Sequence, residues 1–348
     1  MLLTGKSPHG GDIYQNRGFL DFSANINPMG MPGPVREALI RAAEHADVYP
    51  DPRCGALRER LSRAEGVPAD CILCGNGAAE LIYLYAYALA ARDERPALVL
   101  SPTFCEYELA LHAAGVPVER YFLREEDGFR LTEAVLAEDF GRFSAVFLCS
   151  PDNPTGICTE PGLVDALAEN GVRLFCDFCF LDLTEDPERY AIPSLIREHP
   201  NVTVLRAFTK SYAMAGVRLG YAMCSDAAFL GSMAEGTQCW NVSVMAQEAG
   251  IAALDCRGWL RESVKRIAPE RERLAGGLRE LGLRVLPGEA NYLLLHGRGD
   301  LAALLRERGI LVRECADYPG LCPGWVRVAV RTPEENNRLL IAVREVLQ

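Results

Sequence analysis

Short apolar runs alternate with helical periodicity between Cys71 and Cys224. The runs contain few polar positions, as strands do when both faces of a parallel sheet are covered, and helix-like segments separate them. The pattern predicts a three-layer α/β/α core with a mostly parallel sheet. Its predicted strands are Cys71–Cys74, Ala97–Leu100, Ala145–Cys149, Val172–Asp177, Val202–Phe208 and Val217–Met223, and predicted helices begin at Ala78, Phe104 and Pro161.

The pattern changes after about Met245, where long helical stretches precede four short strands and a helix that begins at Pro333. Elements of this kind predict a smaller α+β domain. The first thirty residues are rich in Gly, Pro and Asn and predict an extended arm. We therefore expect an arm over residues 1–30, a large domain over 31–244 and a small C-terminal domain over 245–348.

Composition narrows the function. The 348 residues are 49% hydrophobic and 24% charged, and the formal net charge of -11 argues against nucleic acid as a partner. The longest apolar run, Leu81–Ala91, is too short to cross a bilayer, and the chain starts without an apolar signal core. We expect a cytoplasmic protein that does not bind membranes.

Thirteen cysteines could suggest disulfides or zinc, above all the two Cys-x-x-Cys pairs Cys71/Cys74 and Cys176/Cys179. Both pairs fall in predicted strands, where positions i and i+3 face opposite sides of the sheet. A chain of this length also needs no disulfide to stabilise it. We interpret the cysteines as reduced, small apolar side chains and expect no metal site.

Lys210 is the main candidate for chemistry. It follows an apolar strand, has hydroxyl residues beside it and stands eight positions before Arg218 in a stretch that contains glycine. An amine in this setting can condense with a carbonyl while its neighbours hold a phosphate. The alternative is an ordinary surface lysine at the end of a strand.

Two further strand ends carry polar groups. The segment Gly75 to Glu80 opens a helix, so the backbone amides near Gly77, Ala78 and Ala79 could hold an anion, although a plain tight turn has the same composition. Asn153, between two prolines, could point its amide at a ligand oxygen, although turn chemistry explains this heptapeptide too.

Asp177 ends the next predicted strand among apolar neighbours. A carboxylate there is costly without a cation, and a protonated pyridine nitrogen would be such a partner; the alternative is a helix cap. Phe104 could lie flat on an aromatic ring or belong to the core. Four such signals follow successive strands, which favours a shared site over coincidence.

The sequence resembles the aspartate-aminotransferase-like, fold type I pyridoxal-phosphate enzymes over essentially the whole chain, with Asn153-Pro154-Thr155-Gly156, Asp177, Lys210 and Arg218 in that family's order. The resemblance implies that Lys210 forms a Schiff base with pyridoxal 5'-phosphate. The other implied cofactor contacts are Asp177 with the pyridine nitrogen, Asn153 with the phenolic oxygen, Phe104 with the ring, and Gly77, Ala78, Ala79, Thr209 and Arg218 with the phosphate.

The same resemblance implies a homodimer with shared active sites, in which Tyr49 reaches the phosphate bound by the partner. Two positions depart from the pattern. Phe180 stands where many relatives have a tyrosine that bonds the phenolic oxygen, so that bond is expected to be absent. Ala79 lacks the polar side chain common at this phosphate position, which leaves the backbone amides to act.

Two branches of the family act on phosphorylated amino compounds, the threonine-phosphate decarboxylases of cobalamin biosynthesis and the histidinol-phosphate aminotransferases. The first is favoured by His9-Gly10-Gly11 with the segment from Asp21 to Pro28, and by the segments 310–321 and 326–331. The arm is expected to close over the substrate phosphate, and arginines are expected to grip the carboxylate. The implied substrate contacts are Ser7, His9, Gly10, Asn27, Arg313, Arg327 and Arg331.

The expected reaction is decarboxylation of L-threonine O-3-phosphate to 1-aminopropan-2-ol O-phosphate, because a carboxylate held perpendicular to the cofactor ring is the group that leaves. The alternative is a histidinol-phosphate-type aminotransferase that uses 2-oxoglutarate and glutamate. A more remote alternative is a non-catalytic cofactor sensor or a zinc-binding scaffold.

Overall fold

The computed structural model describes residues 9–190 and 192–348. In chain order its strands are β1 (Leu20–Asp21), β2 (Ile72–Gly75), β3 (Ala97–Ser101), β4 (Val118–Phe122), β5 (Ala145–Cys149), β6 (Arg173–Asp177), β7 (Val202–Ala207), β8 (Gly220–Met223), β9 (Arg284–Val285), β10 (Tyr292–His296), β11 (Ile310–Leu311), β12 (Arg313–Glu314) and β13 (Trp325–Ala329). Its helices are α1 (Gly33–Ala43), α2 (Gly55–Glu65), α3 (Ala78–Ala90), α4 (Glu106–Ala113), α5 (Pro161–Glu169), α6 (Ile192–Glu198), α7 (Phe208–Ser211), α8 (Ala227–Glu235), α9 (Val244–Asp255), α10 (Arg257–Glu280), α11 (Leu301–Glu307) and α12 (Pro333–Leu347).

The main sheet has seven strands in the order β2-β8-β7-β6-β5-β3-β4. All neighbours are parallel except β8, which runs antiparallel to both β2 and β7. The other six strands therefore share one direction, and their carboxyl ends meet at one edge. The register there sets Cys149 of β5 opposite Asp177 of β6.

Helices cover both faces of this sheet. Along β5, Val146 and Leu148 point into one hydrophobic cluster, and Ala145, Phe147 and Cys149 point into another. Helices α2, α5, α6 and α9 complete the first cluster, and α3, α4 and α8 complete the second. Burial on both sides explains why the strands contain so few polar positions. The predicted three-layer core is confirmed.

The C-terminal part is built on an antiparallel sheet in the order β12-β13-β10-β9, against which α10, α11 and α12 pack through a third cluster. Helix α12 begins with a capping box formed by Thr332 and Glu335. This smaller antiparallel region confirms the predicted α+β architecture after the main sheet. The domain boundaries themselves stay a prediction.

The N-terminal arm is attached to this C-terminal part. Strand β1 pairs in parallel with β11, and the carbonyl of Phe22 accepts a hydrogen bond from the Ala329 amide at 2.8 Å. The arm then crosses to the main sheet, where the Asn27 amide donates to the Lys210 carbonyl at 3.1 Å. It therefore bridges the two parts of the molecule.

Within residues 9–190 and 192–348, we find no helix both long and apolar enough to span a bilayer. All thirteen cysteines are free thiols, as the sequence predicts. The cytoplasmic location stays a prediction.

Candidate active site

The loops that follow the parallel strands open into a cavity of about 230 Å³. Loops after β2, β3, β5, β6 and β7 all contribute, because their carboxyl ends share one edge of the sheet. Residues of the arm and of the C-terminal part complete the walls. Of the predicted site residues, the lining includes His9, Gly10, Ala78, Ala79, Phe104, Asn153, Asp177, Thr209, Lys210, Arg218, Arg313 and Arg327.

Lys210 lies on α7, the single helical turn that follows β7, and its side chain is enclosed by the cavity. Burial, reinforced by the positive charges of Arg327 and Arg218, lowers the pKa of Lys210 to about 8. Desolvation disfavours the ammonium form, so a substantial share of the amine is neutral near physiological pH. A neutral amine is the nucleophilic form.

Asp177 lies at the end of β6 and is buried. Its carboxylate accepts hydrogen bonds from the Tyr107 hydroxyl at 2.7 Å and from the Cys179 amide at 2.9 Å. Burial raises the pKa of Asp177. No lysine, arginine or histidine of the described residues forms an ion pair with it, so a cationic group of a ligand would relieve its desolvation.

An anion cradle lies at the start of α3. Gly77 has φ +85°, and no side chain caps the helix, so the amides of its first turn are available to a ligand. A Cβ on Gly77 would overlap the Arg218 guanidinium, which therefore lies directly over the start of the helix. A Cβ on Gly220 would come within 2.7 Å of the Ala78 nitrogen, so glycine is needed in β8 as well.

Arg327 holds two segments of the site together. Its guanidinium donates to the Asn153 side-chain oxygen and to the Ser23 carbonyl, the latter at 2.6 Å. The Tyr318 hydroxyl also contacts the Asn153 oxygen, at 3.5 Å. With its oxygen engaged, Asn153 can meet a ligand oxygen through its amide N–H. The Nε of Arg327 is buried without a hydrogen-bond partner.

The arm forms one wall of the cavity through His9, Gly10, Ser23, Ala24 and Asn25. A Cβ on Gly10 would overlap the Ser23 carbonyl, so only glycine fits there. Asn25 is 1% exposed, and both its side-chain oxygen and nitrogen lack hydrogen-bond partners. Two orphan polar atoms in a cavity wall indicate that a polar ligand belongs there.

Sequence reasoning missed Asn25 and selected Asn27. The structure directs the Asn27 side chain elsewhere: its amide donates to the Ser211 carbonyl at 2.9 Å, and it does not line the cavity. Strand alternation would have put Asn25 and Asn27 on the same face, but the chain bends at Ser23 and Ala24, so the sequence contains no signal that separates them. The sequence also did not identify three further lining residues, because their residue types are common in a hydrophobic core: Tyr107, Cys179 and Tyr318.

Three other predicted residues are not themselves part of the cavity lining. Arg331 donates to the Asp21 carbonyl at 3.0 Å and to Glu335 at 2.7 Å. Tyr49 is 76% exposed and stacks on Trp240 with ring centroids 4.2 Å apart. Gly77 lies beneath Arg218. Ser7 falls outside the described residues. The roles predicted for all of these stay predictions.

Phe180 lines the cavity and packs edge-on against Tyr292 with centroids 4.9 Å apart. Cys179 of the second Cys-x-x-Cys pair also lines the cavity, whereas Cys176 is buried in the core on the other side of β6. The two thiols of this pair therefore diverge.

The sequence matches the profile of the family described as aminotransferase class I and II over residues 17–343. It is 39% identical to the threonine-phosphate decarboxylase of Salmonella typhimurium, over 98% of this chain and 97% of that protein. It is 31% identical to histidinol-phosphate aminotransferase 2 of Archaeoglobus fulgidus, over 96% and 94% respectively.

The fold is similar to the crystal structure of histidinol-phosphate aminotransferase from Sinorhizobium meliloti in complex with pyridoxal 5'-phosphate, with a TM-score of 0.82 and 26% identity. The match covers 93% of this chain and 89% of that one.

Proposed function

Because this chain belongs to the class I and II aminotransferase family, whose cofactor is pyridoxal 5'-phosphate, we propose that it decarboxylates L-threonine O-3-phosphate to 1-aminopropan-2-ol O-phosphate, a step of cobalamin biosynthesis. The observation that carries the proposal is the cavity wall formed by the arm. It brings His9 and Asn25 into the same cavity as Arg313 and Arg327, which suits a substrate with two anionic groups.

The residues present fit the cofactor. The uncapped start of α3, covered by Arg218, suits a phosphate group. Asp177 suits a protonated ring nitrogen, because it is buried and pairs with no cation of the described chain. Phe104 lies in the same wall and offers an aromatic face. Lys210 supplies the buried amine.

When bound, the cofactor supplies an electron sink for the electrons released as a bond to the substrate Cα breaks. Lys210 would hold the cofactor through its amine, and the same amine would serve as the base and acid of the site. Its pKa of about 8 suits both duties near neutral pH. Asp177 keeps its cationic partner protonated, with Tyr107 and the Cys179 amide fixing the carboxylate.

Arg327 is proposed to orient the substrate. Its guanidinium is fixed by Asn153 and Ser23, so a carboxylate bound to it takes a defined direction. Arg313, which pairs with Asp317 at 2.8 Å and packs over the Tyr318 ring, adds a second cation. In the reaction the bond between Cα and the carboxylate breaks, CO2 leaves and Cα takes up a proton, for which Lys210 is the proposed donor.

A histidinol-phosphate-type aminotransferase is the second candidate, supported by the Archaeoglobus fulgidus relative. Lys210, Asp177 and Asn153 would serve either reaction. Both reactions also need an arginine for a carboxylate, that of threonine phosphate in one and that of glutamate in the other, so buried Arg327 suits either. The decarboxylase is favoured by the higher identity to the Salmonella typhimurium protein, 39% against 31%.

We also propose a homodimer with shared sites. Tyr49 and Trp240 form a stacked aromatic pair on the surface. Tyr49 is 76% exposed and Trp240 is 44% exposed. Exposed aromatic side chains of this kind are typical of interfaces. Tyr49 is proposed to reach the cofactor phosphate bound by the partner protomer.

The test is turnover of carboxyl-labelled threonine phosphate by the protein loaded with pyridoxal 5'-phosphate. Release of labelled CO2 without added 2-oxoglutarate, together with 1-aminopropan-2-ol O-phosphate as product, is expected. Unphosphorylated threonine serves as the matched control and should react far more slowly. Turnover restricted to histidinol phosphate plus 2-oxoglutarate would contradict the proposal and favour the aminotransferase.

A further inference from the structure

Glu106 contacts the arm where the arm enters the cavity wall. Its Oε1 lies 2.6 Å from Nε2 of His9, although 97 positions separate the two residues. The imidazole Nδ1 lies 3.9 Å from the Cys105 sulfur, and the ring rests against Phe104 with centroids 5.6 Å apart. Glu106 is the first residue of α4, and its side chain is 13% exposed.

A zinc ion shared by His9, Cys105 and Glu106 is the first interpretation to weigh, because one ligand atom from each lies within 4.8 Å of the others. Two ligands about 2.0 Å from one tetrahedral zinc stand roughly 3.3 Å apart. The observed 2.6 Å between Nε2 and Oε1 is shorter than that and is the length of a charge-assisted hydrogen bond. The contact therefore contains a proton.

We propose that Glu106 is a positioning residue that keeps His9 doubly protonated, so that its Nδ1–H is presented to the phosphate of the substrate and selects phosphorylated amino acids. This inference rests on the proposed function, because it assigns the specificity of that same site.

The chemistry of the imidazole gives the reason. A neutral ring that donates Nε2–H to Glu106 has a lone pair on Nδ1, and a lone pair repels a phosphate oxygen. Only the imidazolium form can donate to Glu106 and to phosphate at once. The present contact between Nδ1 and the Cys105 sulfur is long and weak, so a phosphate oxygen can replace it.

The electrostatics agree with this geometry. Hydrogen bonds to Cys105 and to Glu106 raise the pKa of His9 to about 9, against the opposing effect of burial. His9 therefore stays charged across the physiological range. Among the described residues, Tyr83 on α3 and, from the C-terminal part, Arg313 and Tyr318 are further titratable or charged groups on this side of the cavity.

The experiment compares Glu106→Gln with the holoenzyme by following the C2 proton of His9 by NMR, assigned with His9→Gln. The His9 midpoint is expected near pH 9 in the holoenzyme and roughly one pKa unit lower in Glu106→Gln, because the contact with Cys105 remains in that variant. Glu108→Gln is the matched control, because Glu108 lies on the same helix but pairs with Arg120 at 2.6 Å. It should leave the His9 midpoint in place.

Binding is measured on the same variants. At pH 8.5 the inhibition constant of inorganic phosphate and the KM of threonine phosphate are each expected to rise about threefold in Glu106→Gln, because the charged fraction of His9 falls by that factor, while kcat changes little. At pH 6 the variant should match the holoenzyme. In His9→Gln the pH dependence of phosphate binding near pH 9 should disappear, which keeps the test valid if Glu106→Gln folds poorly.

A His9 midpoint that stays near 9 in Glu106→Gln, or phosphate binding that shows no pH dependence in either protein, overturns the proposal. The proposed function fails in a different way, through the absence of CO2 release by the unaltered enzyme. The NMR titration needs no turnover, so the two failures are distinguishable.

Discussion

Lys210 is one of only three lysines in the chain, and Lys265 is an exposed counterpart whose side chain is 70% exposed and pairs with Glu262. We expect Lys210→Ala to lose the visible absorbance band of the bound cofactor and to reduce turnover roughly a thousandfold or more, because the amine is the proposed attachment point and proton carrier. Absorbance spectra and single-turnover assays measure this.

Lys265→Ala should keep both the band and the activity. Borohydride reduction followed by peptide mass spectrometry gives an independent check, since the reduced cofactor should remain on Lys210. A band that survives in Lys210→Ala would contradict the assignment.

Asp152 provides a pH prediction. Its buried carboxyl accepts hydrogen bonds from the Thr103 hydroxyl at 2.7 Å and the Thr155 hydroxyl at 3.0 Å, and burial raises its pKa to about 7. In the unfolded chain the value is near 3.8. Between pH 3.8 and about pH 7 the folded state therefore binds a proton that the unfolded chain has lost. The free energy of unfolding should fall as pH rises through this range, by up to about 4 kcal/mol.

Asp152→Asn should lose this decline, because an amide keeps the shape and the two hydroxyls can rotate to match it. Urea unfolding at pH 5 and pH 8 measures the difference. Asp165→Asn, at an exposed position of α5, is the control and should follow the unaltered protein. Equal slopes for Asp152→Asn and the unaltered protein would show that the carboxyl titrates normally.

At the residue scale, the sequence predicts those candidate site residues that follow the end of a strand. Lys210, Asp177 and Asn153 follow strands of one parallel sheet, so the topology alone brings them together. The sequence alone does not distinguish Arg327 from Arg331, because residues four apart in a strand lie on the same face. Strand β13 ends at Ala329, which leaves Arg327 inside the strand and Arg331 beyond it, turned toward Asp21 and Glu335.

At the element scale, the start of α3 can be tested with a pair of glycines. Gly77 and Gly115 have φ values of +85° and +78°, so alanine is strained at both. A Cβ at position 115 meets nothing within 4 Å, whereas one at position 77 overlaps Arg218. Gly77→Ala should therefore weaken cofactor binding roughly tenfold or more relative to Gly115→Ala.

Equilibrium titration with pyridoxal 5'-phosphate, followed by absorbance, measures the two dissociation constants. Thermal unfolding of both variants corrects for the shared backbone strain. Equal affinities would mean that Arg218 does not act on the cofactor phosphate.

Elements were predictable where burial was strong. The prediction for β5 matches its bounds, because every residue of it is buried. Strand β4 was missed, since its Val-Glu-Arg-Tyr-Phe sequence lies at the edge of the sheet and stays partly exposed. The reversed direction of β8 was also beyond reach, because an apolar run contains no information about strand polarity.

At the scale of the whole molecule, the proposed homodimer with shared sites predicts complementation between two inactive variants. Tyr49→Ala and Lys210→Ala should each be impaired, but a hybrid dimer contains one site with both residues intact. Refolding an equal mixture should restore about a quarter of the unaltered activity, because half of the dimers are hybrids and each hybrid has one complete site.

Activity of the mixture against subunit ratio measures this, and sedimentation gives the assembly state. A mixture no more active than the average of its two components would place Tyr49 outside the partner's site. Tyr14→Ala, at another exposed tyrosine, is a matched control that should need no complementation.

The pairing of β1 with β11, and of Phe22 with Ala329, has a consequence for engineering. The cavity wall is assembled from the arm and the C-terminal sheet, two stretches separated by most of the chain. A chimera that exchanged only the C-terminal third with a relative would pair the arm of one protein with β11 and β13 of another, and the two surfaces would not match. Transplanting substrate preference therefore requires moving both stretches as one cassette.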